Sequence, residues 1–203
     1  MLNFGSSQYL RASLEPRYIK LRYIEEPSNF GDRTSKLQRY MSTQQFKNSI
    51  EINASPTIVE HCISDRTLMH KWLNPALRCE PVGEWSTEVG SRSRFIILIP
   101  LVKPALDAVI LERKLGLIVW GFAGFFQGSD RWECQEVSQG TKLVNCFTFE
   151  IPNPVIRTGF NVFASYLTKA DMRSQLHRLK RVAEAIQLEE KARKIENSKP
   201  RIT

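Results

Sequence analysis

Apolar and polar residues alternate through residues 45–53 in the pattern of a β-strand with one wet face. Phe46, Ile50 and Ile52 fall on one side of an extended chain, and the charged Lys47 falls on the other. Because successive side chains of a strand point to opposite faces, this segment is predicted to be a strand that covers a core with one face.

Two short helices are predicted after this strand. Ser55 can cap the first helix, and Pro56 suits its first turn, where a backbone N–H has no partner in the helix. Asp65 can cap the second helix, which should end before Asn74 and Pro75 because the residue before a proline disfavours helical geometry.

Six apolar segments separated by turn residues follow the helices. They predict strands at residues 77–85, 91–99, 106–114, 117–126, 131–137 and 141–151, with turns that include Gly116, Gly128-Ser129-Asp130 and Ser138-Gln139-Gly140. Consecutive short strands joined by tight turns are antiparallel. The segment 117–126 is apolar on both faces, so we expect its outer face to be covered by the N-terminal segment, by a partner, or by nothing, as ordinary surface hydrophobics.

A long amphipathic helix is predicted to close the domain. It should begin at Asn153-Pro154, and its apolar positions recur with nearly the helical period as far as Ile186. From Glu189 the chain is charged, and we expect it to fray. A twisted antiparallel sheet covered by one long helix leaves a space between the two, so the topology predicts a cavity.

The segment GSDRWECQEVSQGTKLVNCFTFEIP (128–152) resembles the paired late strands of polyketide cyclase/dehydrase proteins in the SRPBCC superfamily. ASPTIVEHCISDRTLMHKWLNP (54–75) is similar to the first helices of that superfamily, and LHRLKRVAEA (176–185) to its terminal helix. The resemblance implies an α+β helix-grip fold: six to seven antiparallel strands curve around a long C-terminal helix, with two short helices after strand one. We therefore expect an N-terminal extension at 1–43, partly ordered at best, the domain at 44–188, and a charged tail at 189–203.

The distribution of charge and the cysteines indicate which partners and which cell compartment to expect. Residues 1–43 hold 7 basic and 4 acidic residues, residues 154–203 hold 11 and 5, and the middle is nearly neutral. Basic ends favour weak contact with an anionic membrane surface or an acidic protein, whereas no stacking platform accompanies them, so no nucleic acid is expected. The four cysteines lack metal-ligand spacing. The spacing of the cysteines therefore predicts no metal, and we expect no cofactor. Since the sequence also has no secretory signal, we expect a cytoplasmic protein. The alternatives are a protein peripheral to a membrane and one in an organelle.

Strand alternation and the helix stripe select six aromatic residues for the cavity wall: Trp120, Phe122, Phe147, Phe149, Phe160 and Phe163. Arg92, Arg94 and Asp107 are the candidate polar groups of the cavity, although charges usually face water. No motif of a known catalytic class occurs, and the catalytic residues stay unassigned. The expected function is binding or transport of a hydrophobic small molecule or lipid. A cyclase or dehydratase acting on a polyketide-like substrate, and an assembly or scaffold protein, are the alternatives.

The most apolar stretch, FIILIPLVKPALDAVIL (95–111), is too short and too rich in proline to span a membrane as a helix. It predicts two strands joined by a loop that carries Leu101, Val102 and Lys103. Such a loop suits shallow insertion at a lipid head-group boundary, as a lip through which ligand reaches the cavity. The alternative is that Leu101 and Val102 cap the core.

Overall fold

The structure is a computed structural model that describes residues 43–98, 105–124, 126–151 and 165–198. The elements are β1 (Gln44–Ile52), α1 (Pro56–Ser64), α2 (Arg66–Trp72), β2 (Leu77–Pro81), β3 (Arg92–Ile97), β4 (Ala105–Lys114), β5 (Leu117–Ala123), β6 (Gln127–Val137), β7 (Gly140–Glu150) and α3 (Ser165–Asn197). The predicted order of one strand, two short helices, six strands and one long helix is confirmed.

The seven strands form one antiparallel sheet in the order β1-β7-β6-β5-β4-β3-β2. From β2 to β6, each strand pairs with the next one along the chain, and β1 forms the opposite edge by pairing with β7. The helix α3 packs against β1, α1 and α2 on the inner face of the sheet. This is the helix-grip arrangement of an α+β domain.

The caps of the short helices lie where the sequence predicts them. Oγ of Ser55 accepts the backbone N–H of Ile58, and Oδ1 of Asp65 accepts that of Leu68 at 2.8 Å. Each cap satisfies an N–H group that the helix itself leaves without a partner. The turn at Asp65 then folds α2 back against α1, so that the indole Nε1 of Trp72 donates to the carbonyl of Cys62 at 2.8 Å.

Three predicted boundaries are wrong. The strand β2 ends at Pro81, before the predicted end at residue 85. Gly128-Ser129-Asp130 does not form a turn, because β6 begins at Gln127 and runs through it. The glycine is required there for close packing between strands: a Cβ at Gly128 would overlap the carbonyl oxygen of Thr148 on β7. The helix α3 continues past Glu189, where the sequence predicts fraying, and ends at Asn197.

The outer face of β5 is covered by the chain's own neighbouring strands. Leu111, at the irregularity in β4, packs over Gly121, where an added Cβ would come within 2.7 Å of its side chain. Val119 is paired in register with Glu112 on one side and Arg131 on the other, and these two form an ion pair at 3.7 Å. These contacts cover part of the second apolar face that the sequence left open.

Candidate functional site

A cavity of about 360 Å³ lies between the inner face of the sheet and the helices α2 and α3. Its wall is mostly apolar and includes eight aromatic side chains: Trp72, Phe95, Trp120, Phe122, Phe126, Trp132, Phe147 and Phe149. The volume falls in the lower part of the range of about 300–1,000 Å³ that small-molecule sites occupy. No lysine, arginine or histidine is among the described residues that line it.

The aromatic wall is built by cross-strand packing. The rings of Phe122 on β5 and Phe147 on β7 stack with centroids 5.1 Å apart and planes 11° from parallel. Phe149 continues the row at 5.0 Å from Phe147 and meets Phe46 of β1 edge-on at 5.4 Å. Contacts of this kind add to the stability of the wall and hold its rings in fixed orientations.

The carboxyl group of Asp130 lies in this aromatic wall. Its Oδ1 accepts Nδ2 of Asn145 at 2.6 Å, and its Oδ2 accepts Nε1 of Trp132 at 2.8 Å. Asp130 and Trp132 alternate with outward residues on β6, whereas Asn145 is the β7 residue paired with Trp132. Trp132 also packs against Trp72 of α2 with ring centroids 5.2 Å apart. The sheet and α2 together therefore fix the position of the carboxyl group.

Burial raises the pKa of Asp130 to about 6, because loss of water disfavours the charged form. The bonds from Trp132 and Asn145 oppose this shift, since N–H donors stabilise the anion. None of the ion pairs in the described part of the chain includes Asp130. The cavity thus contains a carboxyl group that can be charged or neutral close to physiological pH and that has no cationic partner among the residues that the structure describes.

A second carboxyl group, Asp171 of α3, reaches the cavity from the helix side. Nε2 of Gln175 donates to its Oδ2 at 2.7 Å, and Nη2 of Arg178 donates to its Oδ1 at 3.4 Å. Nε of Arg178 also donates to the carbonyl of Trp72 at 2.8 Å. Asp171 is therefore part of the contact between α3 and α2, and its charge is matched by Arg178.

The predicted cavity residues fall into three groups. Trp120, Phe122, Phe147 and Phe149 line the cavity. Phe160 and Phe163 lie outside the described residues, as do Leu101, Val102 and Lys103 of the predicted lipid-contacting loop. Arg92, Arg94 and Asp107 are not in the cavity.

These three charged residues lie on the outer face of the sheet. Arg94 and Asp107 face each other across β3 and β4 and form an ion pair at 3.0 Å, with side chains 53% and 60% exposed. Arg92 is exposed as well. Ser93, Phe95 and Leu106 occupy the inner face instead. Charged side chains remain in water here because their burial without partners costs free energy.

Sequence reasoning missed Asp130 and Asn145, the polar pair of the cavity. The sequence pattern places Asp130 in a turn, because glycine, serine and aspartate commonly form one. Continuing the alternation of RWECQEV backwards by one residue would have placed Asp130 on the same face as Trp132. Asn145 is only 1% exposed, and the alternation that selects Phe147 and Phe149 places it on the same face of the strand.

No cysteine is among the described residues that line this cavity. Burial raises the pKa of Cys62 and of Cys79 to about 11 and that of Cys134 to about 12, so these thiols stay protonated at neutral pH. Within residues 43–98, 105–124, 126–151 and 165–198, no three His, Cys, Asp or Glu side chains gather to hold a metal ion. No helix of the described ranges is long and apolar enough to cross a membrane.

The family model described as "Polyketide cyclase / dehydrase and lipid transport" matches residues 43–184. That range runs from the residue before β1 into the second half of α3, so it includes every described element that lines the cavity. Among curated proteins, no sequence matches this chain.

Several solved structures share the fold. The protein TTHA0849 from Thermus thermophilus is 18% identical, with a TM-score of 0.55 over 71% of this chain and 99% of its own. The protein of unknown function SA2116 from Staphylococcus aureus is 9% identical, with a TM-score of 0.58 over 72% and 97%. Ara h 8.0201 is 12% identical, with a TM-score of 0.53 over 73% and 99%. At these identities the likeness is one of fold.

Proposed function

Because the chain belongs to the family of polyketide cyclases, dehydrases and lipid-transport proteins, within the SRPBCC superfamily, we propose that it binds or carries a hydrophobic small molecule or lipid in its internal cavity. The observation that supports this proposal is the open space of about 360 Å³ walled by aromatic and aliphatic side chains. Burial of an apolar ligand in such a space is favoured by about 25 cal/mol for each Å² removed from water.

The packing around the cavity also supports a binding role. Buried core residues line the sheet face, and the side chains of Trp72, Phe122 and Trp132 are each less than a tenth exposed. Protein interiors normally fill such space with side chains, so a preserved apolar void favours an occupant. A scaffold protein with a vestigial cavity would have a collapsed core at this position.

Catalysis is a second candidate function, and Asp130 favours it. A carboxyl group with a pKa of about 6 in an apolar cavity can donate and accept a proton near neutral pH, as general acid–base chemistry requires. Cyclisation and dehydration of a polyketide-like substrate both need such transfers. The arginines that the sequence offered for this role lie outside the cavity, so Asp130 replaces them as the candidate.

The basic residues of α3 favour weak contact with an anionic membrane surface. Ser174, His177, Arg178, Lys180 and Arg181 surround a shallow depression on the helix. Nζ of Lys180 forms an ion pair with Glu184 and donates a hydrogen bond to the carbonyl of Glu51, whereas the side chain of Arg181 is exposed. Each basic residue near an anionic bilayer contributes about 1 kcal/mol, which salt screens. Binding to phosphatidylserine vesicles should therefore weaken as ionic strength rises, and binding that is independent of salt contradicts this part of the proposal.

Native mass spectrometry of the purified protein, followed by denaturing extraction, tests the binding function. A carrier should release one apolar compound that rebinds and is recovered unchanged. An enzyme should convert the added compound, and Asp130→Asn should stop the conversion while binding persists. A protein that neither retains an apolar compound nor binds a neutral apolar dye would contradict both functions.

A further inference from the structure

We propose that the cavity selects apolar ligands that carry a protonated amine, with a hydroxyl as the weaker alternative, and discriminates against lipids that end in a carboxylate, because Asp130 is its polar anchor. This inference rests on the proposed binding function and adds the chemical class of the ligand's head group.

Among the described residues that line the cavity, all charges have one sign. Asp130 and Asp171 are the titratable groups among the described lining residues, and no basic side chain accompanies them. Asp171 is matched by Arg178, whereas the donors to Asp130 in the described part of the chain are the neutral side chains of Trp132 and Asn145. A half-buried carboxylate with neutral partners, such as that of Asp130, is stabilised by any further N–H or O–H donor, and most by a cation.

The carboxyl group retains acceptor capacity for such a donor. A carboxylate offers about four lone-pair positions, and the described residues supply Asp130 with two donors, one at each oxygen. Since Asp130 lines the cavity, the remaining positions are available to a bound molecule on the cavity side. The ligand's head group would therefore complete the hydrogen bonding of Asp130.

The aromatic wall favours the same head group. Trp120 pairs with Asp130 across β5 and β6, and Phe147 pairs with it across β6 and β7, so aromatic rings flank the carboxyl group on both sides. Aromatic faces attract cations, and this attraction is larger when the cation is removed from water. A carboxylate ligand would meet the electron-rich faces of these rings and the like charge of Asp130, both of which oppose its binding.

The charge of the whole protein would favour binding of the carboxylate over the amine. With a formal net charge of +8, the chain attracts anions at long range. A preference for an amine over a carboxylate of equal chain length can therefore be attributed to the cavity rather than to surface attraction.

Three dodecyl compounds that differ only in the head group test the inference: dodecylamine, dodecanol and dodecanoate. Each displaces the neutral dye Nile red from the protein at neutral pH, below its micellar concentration. We expect the amine to bind at least about tenfold more tightly than the carboxylate, with the alcohol between them, since like charges placed together oppose binding strongly. Equal affinities, or tighter binding of dodecanoate, would overturn the inference in the unaltered protein.

Two variants test whether Asp130 causes the preference for the amine. Asp130→Asn removes the carboxylate in the cavity and should reduce the preference for the amine to less than about threefold, since the charge contact is lost. Asp107→Asn removes a carboxylate from the exposed outer face and should leave the preference unchanged. If Asp130→Asn does not fold, the ranking in the unaltered protein still decides. A preference that survives in folded Asp130→Asn overturns the inference, whereas failure of Nile red to bind at all overturns the binding function beneath it.

Discussion

The indole nitrogen of Trp132 lies 2.8 Å from Oδ2 of Asp130, and both side chains face the cavity from one strand. The two residues are separated by one position, so the alternation of the strand is what brings them to the same face. This bond partly offsets the cost of burying the carboxylate, and its loss should be measurable in the titration of Asp130.

Trp132→Phe should raise the pKa of Asp130 further above about 6. The substitution keeps an aromatic ring beside Trp72 but removes the N–H that stabilises the anion. Carbon-detected NMR of the Asp130 carboxyl group measures the titration directly. A midpoint that stays unchanged or falls would show that the indole does not act on the carboxyl group in this way.

The stability of the protein should decrease as pH rises between about 4 and 6, relative to Asp130→Asn. The pKa of Asp130 is raised from 3.8 in the unfolded chain to about 6 in the fold, so the native state binds more protons in this interval. Rising pH then favours unfolding, by about 3 kcal/mol over the whole interval. Urea unfolding of both proteins at a series of pH values measures the difference. A difference that is flat across the interval, or that increases with pH, contradicts the raised pKa of Asp130.

Glu60→Ala should destabilise the fold by about 2–4 kcal/mol, because it leaves a largely buried arginine without its partner. Glu60 of α1 accepts hydrogen bonds from Nη2 of Arg113 and, at 2.7 Å, from the backbone N–H of Gly116. Its side chain is 13% exposed and that of Arg113 is 19% exposed. Denaturant unfolding measures the loss.

The exposed pair of Arg94 and Asp107 is the matched control for that measurement. Asp107→Ala should change the free energy of unfolding by no more than about 1 kcal/mol, since exposed ion pairs contribute little. If Glu60→Ala and Asp107→Ala lower the free energy of unfolding equally, the Glu60 contact does not join α1 to the turn between β4 and β5.

Gly128→Ala should destabilise the protein by more than about 3 kcal/mol or prevent folding, because the added methyl group overlaps the backbone of β7 at Thr148. Gly83→Ala is the comparison. Gly83 has φ +92° but nothing within 4 Å of an added Cβ. Gly83→Ala should therefore lower the free energy of unfolding only by the cost of a positive φ in a residue with a Cβ, about 1–2 kcal/mol. Thermal unfolding of the two variants measures the difference, and similar losses would contradict the close packing of β6 on β7.

The sequence predicts the architecture well because the architecture follows from local patterns. Ser55 and Asp65 cap helices through bonds to residues only three positions away, and the alternation in β1 depends on nothing beyond the strand itself. The end of α3 differs from the predicted one because an exposed, charged segment such as 189–197 can be helical without any apolar period.

The contact between Asp130 and Asn145 could not be predicted in the same way. Asp130 meets Asn145 only because β6 and β7 pair in one particular register, and a turn signal at Gly128 concealed the start of β6. Arg92 and Arg94 illustrate the converse: sequence alone left both faces of β3 open, and the cost of burying charge decides which face they occupy.

The central claim, that an apolar ligand occupies the cavity, is tested most directly by filling the cavity from within. Ala108 of β4 is 3% exposed and lines the cavity, so Ala108→Phe places a ring in the space that a ligand would use. Ala185→Phe adds the same ring on the exposed surface of α3. In Nile red titrations we predict that Ala108→Phe weakens binding at least about tenfold, since the ligand loses apolar contact area, while Ala185→Phe binds as the unaltered protein does. Unchanged affinity in a folded Ala108→Phe variant would contradict the claim.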